Sequence, residues 1–153
     1  MNKKTIKGFR LAGLALKTRT TNANGRSQKD CGNLWQAFEK GNYAMAIQGK
    51  LGDEIYAVYY NYEGDHTRPF SYFIGCKVRP DAKIPEGMDS LSIPGGTYQK
   101  FLAKGEMTGC ITEAWKEIWA AEIPRAYKTD FEVYGEKSRD WKDAEVEIYC
   151  SVL

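Results

Sequence analysis

Near the end of this sequence a carboxylate twice stands two residues before a tyrosine, with apolar residues between: Asp130-Phe131-Glu132-Val133-Tyr134 and Glu145-Val146-Glu147-Ile148-Tyr149. Side chains two apart in an extended strand share a face, so Glu132 lies beside Tyr134 and Glu147 beside Tyr149. Phe131, Val133, Val146 and Ile148 turn to the other face and can form an ordinary core. Two neighbouring strands of this kind would present acids and tyrosines together on one side of a sheet. A carboxylate taken out of water tends to protonate unless it gains hydrogen bonds or a positive neighbour. A lipophilic cation restores the ionised form, and Tyr and Trp faces attract it by cation–π contact worth roughly 0.5 to 2 kcal/mol each. Charge combined with apolar surface selects organic cations over metal ions.

The rest of the chain must supply elements that hold these strands. At 153 residues it is long enough for one domain, 1–153, that buries roughly two thirds of the surface its unfolded form exposes. Twenty-two basic residues against twenty acidic ones leave +2, scattered along the chain, so no phosphate-binding face is expected and direct nucleic-acid binding is not. Cys31, Cys76, Cys110 and Cys150 are widely separated and His66 is the only histidine, which argues against a zinc site. No cofactor is expected: Gly95-Gly96 lacks the lysine and hydroxyl spacing of a phosphate loop. Lys7 and Arg10 interrupt the first apolar run, and no stretch has the roughly twenty apolar residues of a membrane span. A reducing cytoplasm with free thiols fits best.

The pattern predicts a strand over 5–18, with Gly13 marking a bulge or a close approach to the backbone. A helix carrying Leu34, Trp35 and Phe38, capped by Asp30 or Asn33 and ended by Gly41, follows. Strands over 54–62 and 70–78 form a hairpin, with His66 exposed in its loop. Residues 79–90, with Pro80, Pro85 and Gly87, read as a linker. Beyond it, 91–93, a turn and 97–103 make a second strand region. Thr108 caps a helix with Ile111, Trp115, Ile118 and Trp119 on one stripe. Strands near 127–134 and 144–152 end the chain. Both halves, about 1–79 and about 90–153, thus read strand, helix, strand, strand. The expectation is an α+β fold of tandem modules with pseudo-twofold symmetry, antiparallel sheets and two main helices around a central cleft. A concave seam between packed units is a common ligand site.

Pro94-Gly95-Gly96-Thr97-Tyr98-Gln99-Lys100-Phe101, then Lys104-Gly105, Ala114-Trp115 with Ile118-Trp119, and the two acid-tyrosine strands resemble the GyrI-like small-molecule-binding family. This is the effector-binding domain of AraC- and MerR-type activators, which also occurs as stand-alone proteins. The resemblance is strongest from Ser92 onward. It implies a cleft for small, hydrophobic, often cationic molecules, with an acid on the last strand as the cation's partner. That acid matches Glu147, with Tyr149 beside it and Glu132 and Tyr134 on the preceding strand.

Without the resemblance, Glu147 reads as a solvent-facing strand residue. Trp115, Trp119 and Trp35 can equally be core anchors or ligand contacts. Tyr59 and Tyr60 point to opposite faces, so one of them contributes, and Tyr60 completes the candidate set. No helix-turn-helix precedes the first strand, so transcriptional control by this chain alone is not expected. Binding without catalysis, as a sensor or sequestering protein, is the leading reading. A hydrolase of electrophilic small molecules, using Glu147 as general base, and a topoisomerase-modulating protein-interaction domain are the alternatives. The expected partner is a small hydrophobic or cationic organic ligand, with no membrane; a homodimer or a protein partner is left open.

Overall fold

The computed structural model describes residues 3–153. The first strand region is broken: β1 (Lys3–Ile6) and β2 (Phe9–Ala15) are separated by Lys7-Gly8. Helix α1 (Arg26–Lys40) and the short α2 (Tyr43–Ala46) lead to the hairpin of β3 (Lys50–Tyr60) and β4 (Ser71–Val78). The second half repeats the plan with β5 (Asp89–Ile93), β6 (Gly96–Gly105), α3 (Gly109–Ala120), β7 (Arg125–Tyr134) and β8 (Ala144–Val152). The eight strands form one antiparallel sheet in the order β1-β6-β8-β7-β3-β4-β2-β5. This is an α+β fold.

That order is a palindrome of the two halves, with the pseudo-twofold between β7 and β3. The outermost strands are exchanged. β1 pairs with β6 of the second half, and β5 pairs with β2 of the first. Each crossing needs a kink, at Lys7-Gly8 and at Pro94-Gly95, and the kinks touch one another. A Cβ on Gly8 would lie 3.0 Å from the Ile93 carbonyl oxygen, and one on Gly95 2.9 Å from the Gly8 nitrogen. Residues 5–18, expected as one strand, are therefore divided, because the exchange turns the chain at Gly8. Gly13 does mark a close backbone approach: it pairs with Gly75, and a Cβ there would stand 2.0 Å from the Ile74 carbonyl oxygen.

Each helix covers one half of a single sheet face. Phe38 of α1 is buried among Ala12, Ala57, Tyr72, Ile74 and Val78, with Leu34 and Trp35 packed alongside. The stripe of α3 buries Trp115 and Ile118 against Ala103, Val146, Ile148 and Cys150. The other face holds a third cluster around Leu11, Val58, Phe73, Ile93, Tyr98 and Phe131. Helix α1 starts earlier than its capping residues suggested. Gly25, at φ 69°, precedes Arg26, and Asp30 and Asn33 lie within the helix. Asp30 instead accepts a hydrogen bond from the Thr20 hydroxyl at 2.7 Å and faces Arg26 one turn earlier. Gly41 ends the helix, its N–H bonding to the Ala37 carbonyl at 3.0 Å. Among the described residues no helix is long and apolar enough to cross a membrane.

Candidate functional site

Where the helices meet over the central strands they leave a cavity of about 150 Å³. Its walls come from α1 (Ser27, Gln28, Cys31), α3 (Ile111, Thr112, Trp115, Trp119), the β3–β4 connection (Tyr62, His66, Phe70), Tyr59 on β3 and Arg125 at the start of β7. The volume matches a single aromatic ring.

Directly behind Tyr59 and Trp115 lies Glu132, 1% exposed. Its Oε2 accepts hydrogen bonds from the Tyr59 hydroxyl at 2.7 Å and the Trp115 indole N–H at 2.6 Å, and its Oε1 accepts one from the Tyr134 hydroxyl at 2.6 Å. A further layer braces these donors. Trp35 stacks edge-on against Tyr134, with ring centroids 4.8 Å apart, and donates its indole N–H to the Tyr72 hydroxyl at 2.7 Å. Among the described residues no cation pairs with Glu132. Burial pushes its pKa up, and the hydrogen bonds from Tyr134, Trp115 and Tyr59 offset only part of that rise. A buried acid with three neutral donors and no counter-charge is poised to gain from a cation brought next to it.

The structure brings Glu132, Tyr134, Trp115, Trp119 and Trp35 together, and it separates Glu147, Tyr149 and Tyr60 from them. The expectation that both acids share one surface fails on register. β7 and β8 pair Glu132 with Ile148 and Val133 with Glu147. Directly opposed residues point to the same side, so Glu132 and Glu147 lie on opposite faces. Glu147 has a side chain 42% exposed, an ion pair with the Lys100 ammonium at 2.9 Å and a hydrogen bond from Tyr149 at 2.9 Å. Burial is the largest single influence and raises its pKa, but the hydrogen bonds from Lys100 and Tyr149 together with the Lys100 charge outweigh it and hold the group below the usual range. Its surroundings are an open groove shared with Asp53, Lys137, Arg139 and Glu145. Tyr149 stacks on Phe131 at 5.0 Å, and Tyr60 packs beside the same cluster on that face. Tyr59 takes the place assigned to Tyr60, one residue away and on the opposite face.

Two site residues carried no sequence signal. His66 is half-buried rather than exposed. Its ring stacks on Trp119 at 5.0 Å and 7°, and Asn22 donates to its backbone carbonyl at 2.8 Å, closing the hairpin loop over the cavity. Arg125 reaches into the wall because β7 loses register between Arg125 and Asp130, with Tyr127 in the left-handed region at φ 52°. Its Nη2 pairs at 2.6 Å with Asp130, which is fully buried and also accepts the Tyr62 hydroxyl at 2.6 Å and the Ser151 N–H at 2.9 Å.

The profile of the Cass2 family, integron-associated effector binding proteins, matches residues 4–152, and the chain belongs to that family. It is 28% identical over 148 residues to YobU of Bacillus subtilis (strain 168), named a transcriptional regulator, covering 94% of this chain and 91% of the relative. An integron cassette protein from the mobile metagenome of Vibrio cholerae is 32% identical, with a TM-score of 0.73 over 99% of this chain and 95% of that one. SAV2435, solved bound to tetraphenylphosphonium, superposes with a TM-score of 0.77 over 99% of this chain and 93% of its own. At 18% identity that likeness is one of fold. These matches agree with the GyrI-like resemblance.

Proposed function

We propose that this member of the effector-binding family takes a hydrophobic organic cation into the cavity between α1 and α3, with Glu132 as the charge partner. One observation carries the reading: a carboxylate buried to 1% exposure is held by three neutral donors and lacks a cationic partner among the described residues. Leaving a charge so deep costs several kcal/mol or more unless it is compensated, and three charge-assisted hydrogen bonds return roughly 1.5–3 kcal/mol each. A cation against the Tyr59 and Trp115 rings supplies the missing compensation, while the rings add cation–π attraction. Trp119, Trp35 and Tyr134 shape and brace the aromatic wall. Tetraphenylphosphonium, the ligand of SAV2435, is a cation of this chemistry.

The cavity is partly open to solvent and holds about one ring of such a molecule, so seating a bulkier ligand requires the loop bearing His66 to part from Trp119. Coupling occupancy to movement of that loop suits a sensor; stoichiometric capture alone suits sequestration. Titration calorimetry with tetraphenylphosphonium tests the proposal. Wild type binds and Glu132→Gln binds at least about tenfold more weakly, the loss of one partly desolvated ion pair. Equal affinities would refute the assignment of Glu132. Turnover of an electrophilic substrate would favour the hydrolase alternative instead.

A further inference from the structure

Among the described residues Arg125 is the one cationic side chain in the cavity wall. Its side chain is only 3% exposed and its charge is already matched by Asp130. That pairing uses Nη2 alone: Nε and Nη1 are buried without an acceptor among the described residues. Asp130 has no capacity left for them, because Oδ2 takes Arg125 and Tyr62 while Oδ1 takes the backbone N–H and hydroxyl of Ser151. The guanidinium lies over two aromatic rings, its Cζ 4.3 Å from the Tyr127 centroid and 5.8 Å from that of Trp115. Buried polar groups are nearly always satisfied, so two idle donors on a pocket arginine require an explanation. The positive φ at Tyr127 adds another, since strained backbone of this kind concentrates at functional positions.

We infer that Arg125 forms a hydrogen-bond-donating subsite that takes an uncharged carbonyl oxygen of the bound molecule. The inference rests on the cation-binding reading and narrows its ligand class to organic cations carrying an amide, ester or ketone. The geometry supports this pairing because Trp115 lies between the two groups: its indole N–H meets Glu132 and its ring faces Arg125. A carboxylate is the wrong acceptor. Arg125 and Asp130 already sum to zero, so a ligand anion would meet Glu132 and Asp130 without a free positive charge to offset them. A neutral carbonyl accepts the idle N–H groups without adding charge.

The test uses three matched probes on the intact protein: pentyltriphenylphosphonium and its analogues whose terminal methyl is replaced by a carboxamide or by a carboxylate. The carboxamide binds at least about tenfold more tightly than the pentyl compound, the gain of one hydrogen bond to a charged donor, and the carboxylate binds no better than the pentyl compound. Arg125→Lys keeps a cation for Asp130 but lacks Nε and Nη1. In that variant the carboxamide-to-pentyl ratio falls to about one. Equal or weaker binding of the carboxamide in wild type overturns the inference while leaving the cation site standing. If the carboxylate proves tightest, the subsite recognises charge and the inference fails. If no probe binds, it falls together with the reading beneath it. The wild-type ratio decides the matter even if the lysine variant does not fold.

Discussion

The Tyr59 hydroxyl meets Glu132 Oε2 at 2.7 Å across the seam between β3 and β7, where the two halves of the chain join. The contact spans 73 positions of sequence. It ties the charge of the second half to an aromatic wall supplied by the first, so the site exists only when both halves are docked.

Glutamine and alanine at position 132 should separate charge from hydrogen bonding. Gln retains an acceptor for Tyr59 and Trp115, and the Tyr134 hydroxyl can rotate to accept from its amide, so stability changes by less than about 1 kcal/mol. Alanine strands the Trp115 N–H and opens a void, costing about 2–4 kcal/mol. Denaturant melts of the two variants provide the check.

The pH dependence has a definite sign. Burial raises the Glu132 pKa above its ordinary 4.5, so above 4.5 the folded protein binds more protons at this site than the unfolded chain does. The associated stability is present below the unfolded value and is lost as pH rises through the folded one. The melting temperature of wild type should therefore fall, relative to Glu132→Gln, as pH climbs from about 4.5 into that window. Affinity for tetraphenylphosphonium should rise over the same interval, with proton uptake by buffer on binding visible in calorimetry.

Glu147→Gln should leave cation binding unchanged. The carboxylate lies on the opposite face and pairs with Lys100 at a partly solvated surface. Such pairs contribute about 0–1 kcal/mol, which bounds the stability change.

His66→Ala removes the ring stacked on Trp119. Ligand association should accelerate several-fold with little change in equilibrium affinity for a small ring, and Trp119 emission should shift to the red. Stopped-flow fluorescence reads both.

Gly13→Ala places a methyl 2.0 Å from a backbone oxygen where β2 pairs with β4. Neither strand can retreat without breaking the ladder, so a loss on the order of 3 kcal/mol is expected in thermal melts.

Local pattern determined a good deal. The apolar stripe 111, 115, 118 and 119 specified α3 and the face it buries, and the alternation along 55–59 and 130–134 specified β3 and β7. The repeated order of elements indicated two similar halves, and Gly13 announced its close contact. Within a strand, the two-residue period also said correctly that Glu132 and Tyr134 share a side. What it lacks is the phase of one strand against the next, which is set by pairings between residues distant in sequence. A shift of one residue in that phase exchanges faces, and for this reason only the folded sheet distinguished Glu132 from Glu147 and Tyr59 from Tyr60. The exchange of β1 and β5, the bulge that aims Arg125 and the stacking of His66 on Trp119 are likewise products of long-range docking, because none of them is favoured by its own stretch of chain.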